Sequence, residues 1–231
     1  ESGVERYVAD MTSIEPQVDA LIAIERPEYL EAYLAQRRSN RMVVVSAGAS
    51  AMRTLDHVVV DLTHGSRAAL RHLAASGRRR IVYVVPEVSH HPSEQREAAY
   101  LEFAHQVGLQ PEFLVVPECS RAGARAATVK FVRERGLPDA LFCCNDVTAL
   151  GAYRGLLDLG ARVPGDCAIV GCDGMEETAY LEVPLSTIVQ PIEEMCRIAA
   201  QFALRRLDKP DVPLQSAKLT AQLHIRESSG G

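Results

Sequence analysis

The sequence predicts an α/β protein of two lobes, each a parallel sheet flanked by helices in three layers. Three observations carry this expectation. Strand-length apolar runs alternate with helical patterns along the chain, and those runs are apolar continuously rather than at every second residue. Late in the chain, from Pro184 to Pro191, the alternation gives way to an extended segment between prolines, as in a chain that leaves one sheet for another. Continuous apolar runs fit parallel strands covered on both faces.

Taken in order, strands are expected at Ala20 to Ile24, Met42 to Val45 and His57 to Val60. Ser66 to Ser76 carries Ala69, Leu70, Leu73 and Ala74 on one helical face and stops at Gly77, which suits a left-handed helix end. After the strand Ile81 to Val85, Ser93 is a candidate N-cap for a helix bearing Tyr100, Phe103, Ala104 and Val107 and ending at Gly108. Phe113 to Val116 is the next strand; Ser120 caps the helix that ends at Gly136. Ala140 to Cys144 precedes a helix for which Asp146 is the candidate cap, and Ala168 to Val170 is a further strand. Ile192 to Leu207 forms a long helix, and the alternation from Lys218 to Arg226 predicts one edge strand.

With 231 residues and 47% hydrophobic composition the chain can bury one large core or two ordinary ones. No apolar run approaches the roughly 18–20 residues of a membrane span, and Glu1 to Asp10 are too charged for an export signal. Membrane association is therefore not expected. Six cysteines, two of them adjacent at Cys143 and Cys144, lie in or beside apolar runs, which points to buried thiols in a reducing, cytoplasmic protein. A net charge of −5 gives no basic field for nucleic acid, so any DNA contact is expected through another segment. The cluster Arg78, Arg79 and Arg80 sits where cations complement a helix end.

Ligands of parallel α/β sheets lie beyond the carboxyl ends of the strands, which selects the residues just after each run. Asn145 offers an amide, Asp173 an acceptor in a glycine-flanked turn, and Arg96 a planar fork in the first turn of a helix. Together they suit hydroxyls or ring nitrogens. The chain lacks a GxSxG elbow, a GxGxxG turn, a GxxxxGK[ST] loop, an HExxH helix and a CxxC pair. No enzyme activity, metal or cofactor is expected, although Asp146 or Asp173 as an acid or base, a nucleophile at Cys143 or Cys144, and a zinc site stay open as alternatives. Phe142 or Tyr180 is the candidate stacking platform.

The run DALFCCNDVTALGAYRGLLDLGARVPGDCAIVGCDGMEETAYLEVPLSTIVQP resembles the signature region of the LacI/GalR family of transcriptional regulators, and HVVVDLTHGSRAALRHLAASGRRRIVYV resembles a stretch upstream of it. The resemblance covers nearly the whole chain. It implies a periplasmic-binding-protein-like fold in which Asn145 and Asp173 contact an effector, Arg96 starts the corresponding helix with Ala99 in place of a glycine, and Ser46 and Gln190 face the ligand more weakly. The acidic and aromatic positions beside Asp173 are Gly174 and Cys172 here. The implied division puts residues 1–62 and 188–208 in a first lobe without its early strand, helix and strand, and 63–187 and 209–231 in a second. The implied function is an effector sensor that binds a sugar-like or purine-like metabolite between lobes. It would act as a homodimer and control operator DNA through a headpiece outside this chain. A solute-binding protein of a transporter is the alternative.

Overall fold

The computed structural model describes residues 3–24, 27–37, 41–91 and 94–231. Along the chain these form α1 (Gly3–Ile14), β1 (Ala20–Ile24), α2 (Pro27–Gln36), β2 (Val43–Gly48), β3 (Asp56–Asp61), α3 (Thr63–Ala75), β4 (Ile81–Pro86) and α4 (Gln95–Val107). There follow β5 (Glu112–Val116), α5 (Arg121–Arg135), β6 (Ala140–Cys143), α6 (Asp146–Asp158), β7 (Ala168–Asp173), β8 (Ser186–Val189), α7 (Ile192–Asp208), β9 (Ser216–Thr220) and β10 (Gln222–His224). The alternation read from the sequence is thus the alternation of the fold.

The chain divides into two units, one of residues 1–61 and 191–219 and one of residues 62–190 and 220–231. The first holds a sheet in the order β1-β2-β3-β9, with β1 to β3 parallel. Its buried carboxylate, Asp56, accepts from Arg206 Nε and Nη2 at 2.9 and 2.7 Å and from the Gln215 backbone and side chain at 2.8 and 3.0 Å. That network ties the segment after α7 to the start of β3. It accounts for residues 209–219 standing with the first unit, where the expected division put them in the second; the pairing of β8 with β7 holds 188–190 in the second unit.

The second unit holds six strands in the order β10-β8-β7-β6-β4-β5, parallel except for β10. Every residue of β4 and β6 is buried, as continuous apolar runs require. One core face joins Val82, Val84, Leu141 and Ile169 to Ala149, Ala152 and Leu156 of α6. The Ser120 hydroxyl caps α5 by accepting from the Gly123 N–H, and Gly108 ends α4 with φ of 70°.

Three local expectations change. Ser93 lies outside the described residues, and the Glu94 side chain caps α4 by accepting from the Arg96 and Glu97 N–H groups. Asn145, in extended conformation, caps α6, and Asp146 is its first helical residue. The single edge strand expected over Lys218 to Arg226 is two strands interrupted at Ala221, β9 on the first sheet and β10 on the second.

Candidate functional site

Four residues singled out in the sequence stand at the carboxyl ends of four neighbouring strands of the second sheet. Gln190 follows β8, Asp173 ends β7, Asn145 follows β6, and Arg96 lies in the first turn of the helix after β4. Parallel strands with crossover helices bring these chain-distant positions to one edge.

Asp173 and Gln190 are joined directly. Gln190 Nε2 donates to Asp173 Oδ1 at 2.8 Å, and the Gln190 N–H donates to the Asp173 carbonyl at 3.2 Å. Asp173 has φ of 132°, a region that side chains rarely occupy, so surrounding contacts must hold it there. Burial pushes its carboxyl up to about 6, with the Asp146 carboxylate adding to the shift; Gln190 and Arg96 oppose it.

Arg96 is fixed on two sides. Its Nε donates to Glu94 Oε1 at 2.9 Å, and its Nη1 donates to the Cys144 carbonyl at the end of β6 and reaches Cys172 Sγ at 4.0 Å. The guanidinium therefore links the start of α4 to the ends of β6 and β7. Asn145 serves a structural need with one end of its amide: Oδ1 accepts from the Thr148 N–H at 2.8 Å as the α6 cap. Among the described residues its Nδ2 donates to a thiol, Cys119 Sγ at 3.3 Å, a weak acceptor that a ligand oxygen can outcompete.

Ser46 stands in the other unit, in β2, where its hydroxyl accepts from the Met52 N–H at 2.9 Å. The other four all belong to the second unit. Phe142 is no stacking platform: it is fully buried, its ring 5.4 Å from that of Tyr83 inside the core. Tyr180, by contrast, is 78% exposed. Burial raises the thiols of Cys143, Cys144, Cys167 and Cys172, which leaves them protonated and poor nucleophiles. All six cysteines are unbridged. Among the described residues no cluster of His, Cys, Asp and Glu is arranged to hold a metal ion, and no helix is long and apolar enough to cross a membrane.

The residue that the sequence reading undervalued is Asp146. Fully buried, it accepts from the Gly174 and Met175 N–H groups at Oδ2, both at 2.8 Å, and from the Thr187 hydroxyl at Oδ1 at 2.7 Å. A residue read as a helix cap instead joins α6 to the turn after β7 and to β8. The one available signal was its place beside Asn145, directly after a buried strand.

Comparison with known proteins places this geometry. A family model described as "Periplasmic binding protein-like domain" matches residues 70–229. The ribose operon repressor of Haemophilus influenzae is 26% identical over 219 residues, covering 94% of this chain and 66% of that protein. The transcriptional repressor MelR of Bacillus subtilis is 31% identical over 186 residues, covering 76% of this chain and 53% of that protein. The chain thus spans about half to two thirds of the length of these curated relatives. A LacI family regulator from Enterococcus faecalis, solved with bound ribose, shares the fold with a TM-score of 0.84 at 24% identity, covering 98% of this chain and 82% of that one.

Proposed function

The chain belongs to the periplasmic binding protein-like domain family, among the LacI/GalR transcriptional regulators, and from that premise we propose that it is the effector-sensing part of a DNA-binding regulator. The effector is a small polar metabolite, sugar-like or purine-like, taken up at the carboxyl edge of the second sheet. Asp173 accepts hydrogen bonds from ligand hydroxyls, Asn145 Nδ2 donates, and the Arg96 fork donates to vicinal oxygens. Gln190 acts through its bond to Asp173. Ser46 is the weakest assignment and is supported by the family resemblance alone.

The observation that carries this reading is the convergence of polar groups from four adjacent strand ends, around a carboxylate held by an amide. Ligand binding changes the population of conformers that present a headpiece to operator DNA, with a coupling of about 1–3 kcal/mol typical of such sensors. The reading includes a homodimer working in the cytoplasm. The relatives named above are repressors, which favours the regulator over a solute-binding protein of a transporter.

Thermal-shift screening of the chain against ribose, lactose, sugar phosphates and nucleobases tests it. A true effector at 100 times its Kd adds about 2.7 kcal/mol of stability. Asp173→Ala and Arg96→Ala should each lose most of that gain. Equal stabilisation of both variants and the parent would show that the ligand sits elsewhere.

A further inference from the structure

We propose that Asp146 is the positioning residue of this site: it clamps the Asp173–Gly174 step and so sets where the Asp173 carboxylate points, without itself touching ligand. The proposal rests on the reading of Asp173 as an effector contact. Asp146 has no exposed surface, so it cannot reach a ligand, and its oxygens are committed to the chain. Oδ2 gathers the N–H groups of Gly174 and Met175, the two residues that follow Asp173, while Oδ1 takes the Thr187 hydroxyl from β8. Charge-assisted bonds of this kind are the stronger ones, and here they converge on a backbone that would otherwise relax. Asp173 has φ of 132° and Gly174 φ of 85°.

The strand is cut to fit this carboxylate. A Cβ on Gly171 would lie 2.2 Å from Asp146 Oδ1, so glycine is what lets the side chain lie against β7. Around the pair stand Arg96 from α4, Cys143 from β6, Cys172 from β7, Gln190 just after β8 and Arg226 after β10. Of the charged groups among these, the two arginines favour ionised carboxylates, and the two carboxylates disfavour each other. The backbone N–H of Asp146, at the start of α6, also favours the Asp173 anion. Asp146 thus acts on Asp173 twice, through geometry and through charge.

The two actions separate by substitution. In Asp146→Asn the amide oxygen can still accept from Gly174 and Met175 and the amide nitrogen can donate to the Thr187 oxygen, so the clamp stays and the charge goes. Asp146→Ala removes both. The readout is NMR on the ligand-free 231-residue chain, following the Asp173 carboxyl carbon against pH and the exchange of the Gly174 and Met175 amides. The parent should titrate near 6 with both amides protected. Asp146→Asn should lower that midpoint toward the ordinary carboxylate range with protection retained. Asp146→Ala should speed both amides roughly tenfold or more.

An unchanged Asp173 midpoint in Asp146→Asn, together with protected amides in Asp146→Ala, overturns the proposal. Should Asp146→Ala fail to fold, Thr187→Val takes its place: loosening one anchor should raise exchange at Gly174 and Met175, and no change there counts against the clamp. Because these measurements need no ligand, they are independent of the effector reading. A calorimetric ribose titration in which the parent binds and Asp173→Ala binds equally well would remove Asp173 from the site, and with it the role of Asp146 in binding.

Discussion

Asp56 in the first unit and Asp173 in the second are carboxylates at strand ends, and they meet opposite surroundings. Asp56 pairs with both Nε and Nη2 of Arg206 and takes two further hydrogen bonds from Gln215. Burial alone would raise its pKa, but the Arg206 and Gln215 hydrogen bonds hold it below the usual carboxylate range. Asp173 receives an amide, lies near another carboxylate and is pushed up to about 6. A carboxylate saturated by its own chain is a fastener. One kept short of positive partners holds acceptor capacity for something outside the chain.

The largest effect that tests this contrast is the loss of Asp56. Asp56→Ala should cost about 3 kcal/mol, because Arg206 and Gln215 lose the acceptor that ties the end of α7 to β3. Arg206 keeps some contact with water, its side chain 21% exposed, which places the cost at the low end for a broken buried pair. Urea denaturation monitored in the first unit measures it. A loss below about 1 kcal/mol would reduce Asp56 to an ordinary surface-type pair and collapse the contrast.

A second effect should appear in the pH dependence, with opposite signs at the two sites; at Asp173 the rise from 3.8 to about 6 sets it at no more than about 3 kcal/mol. The folded-state pKa of Asp56 is lowered, so its contribution is present above the unfolded value and fades as pH falls toward the folded one. For Asp173 the folded value is raised from 3.8 to about 6, so its contribution is present below 3.8 and is lost as pH rises through 6. Asp173→Asn should remove that loss between pH 4 and 6, and Asp56→Asn should remove the acid-side one. Denaturation midpoints of parent and variants across pH 3 to 8 settle the signs. The same logic makes ligands that donate to the Asp173 carboxylate bind more tightly as pH rises past 6.

Much of this was readable before the fold, and the boundary has a physical cause. Continuous apolar runs such as Ile81 to Val85 announce strands buried on both faces, and Ser120 announces a cap, because each depends on local chemistry. Asn145 and Asp146 were interchanged because both residue types cap helices well, and which one adopts the extended conformation depends on where β6 stops. The clamp by Asp146 was invisible for a different reason: its partners, Gly174, Met175 and Thr187, are 28, 29 and 41 residues away and meet it only through the pairing of β7 with β8. Phe142 misled because β6 is buried along its whole length, so a ring within the strand packs into the core and does not face the carboxyl edge where a ligand would lie.

Asn145 is where structural and binding roles share one side chain, and there the contrast takes its finest form. Its Oδ1 caps α6, and its Nδ2 is the donor proposed for the effector. Asp caps a helix about as well as Asn but has no N–H to offer. Asn145→Asp should therefore change stability by only a few tenths of a kcal/mol. Asn145→Ala should cost about 1 kcal/mol through the lost cap. Both should lose effector binding to a similar degree, since both lose the same donor. If Asn145→Asp binds like the parent, the amide serves the helix alone, and the effector contacts on this sheet edge reduce to Asp173 and Arg96.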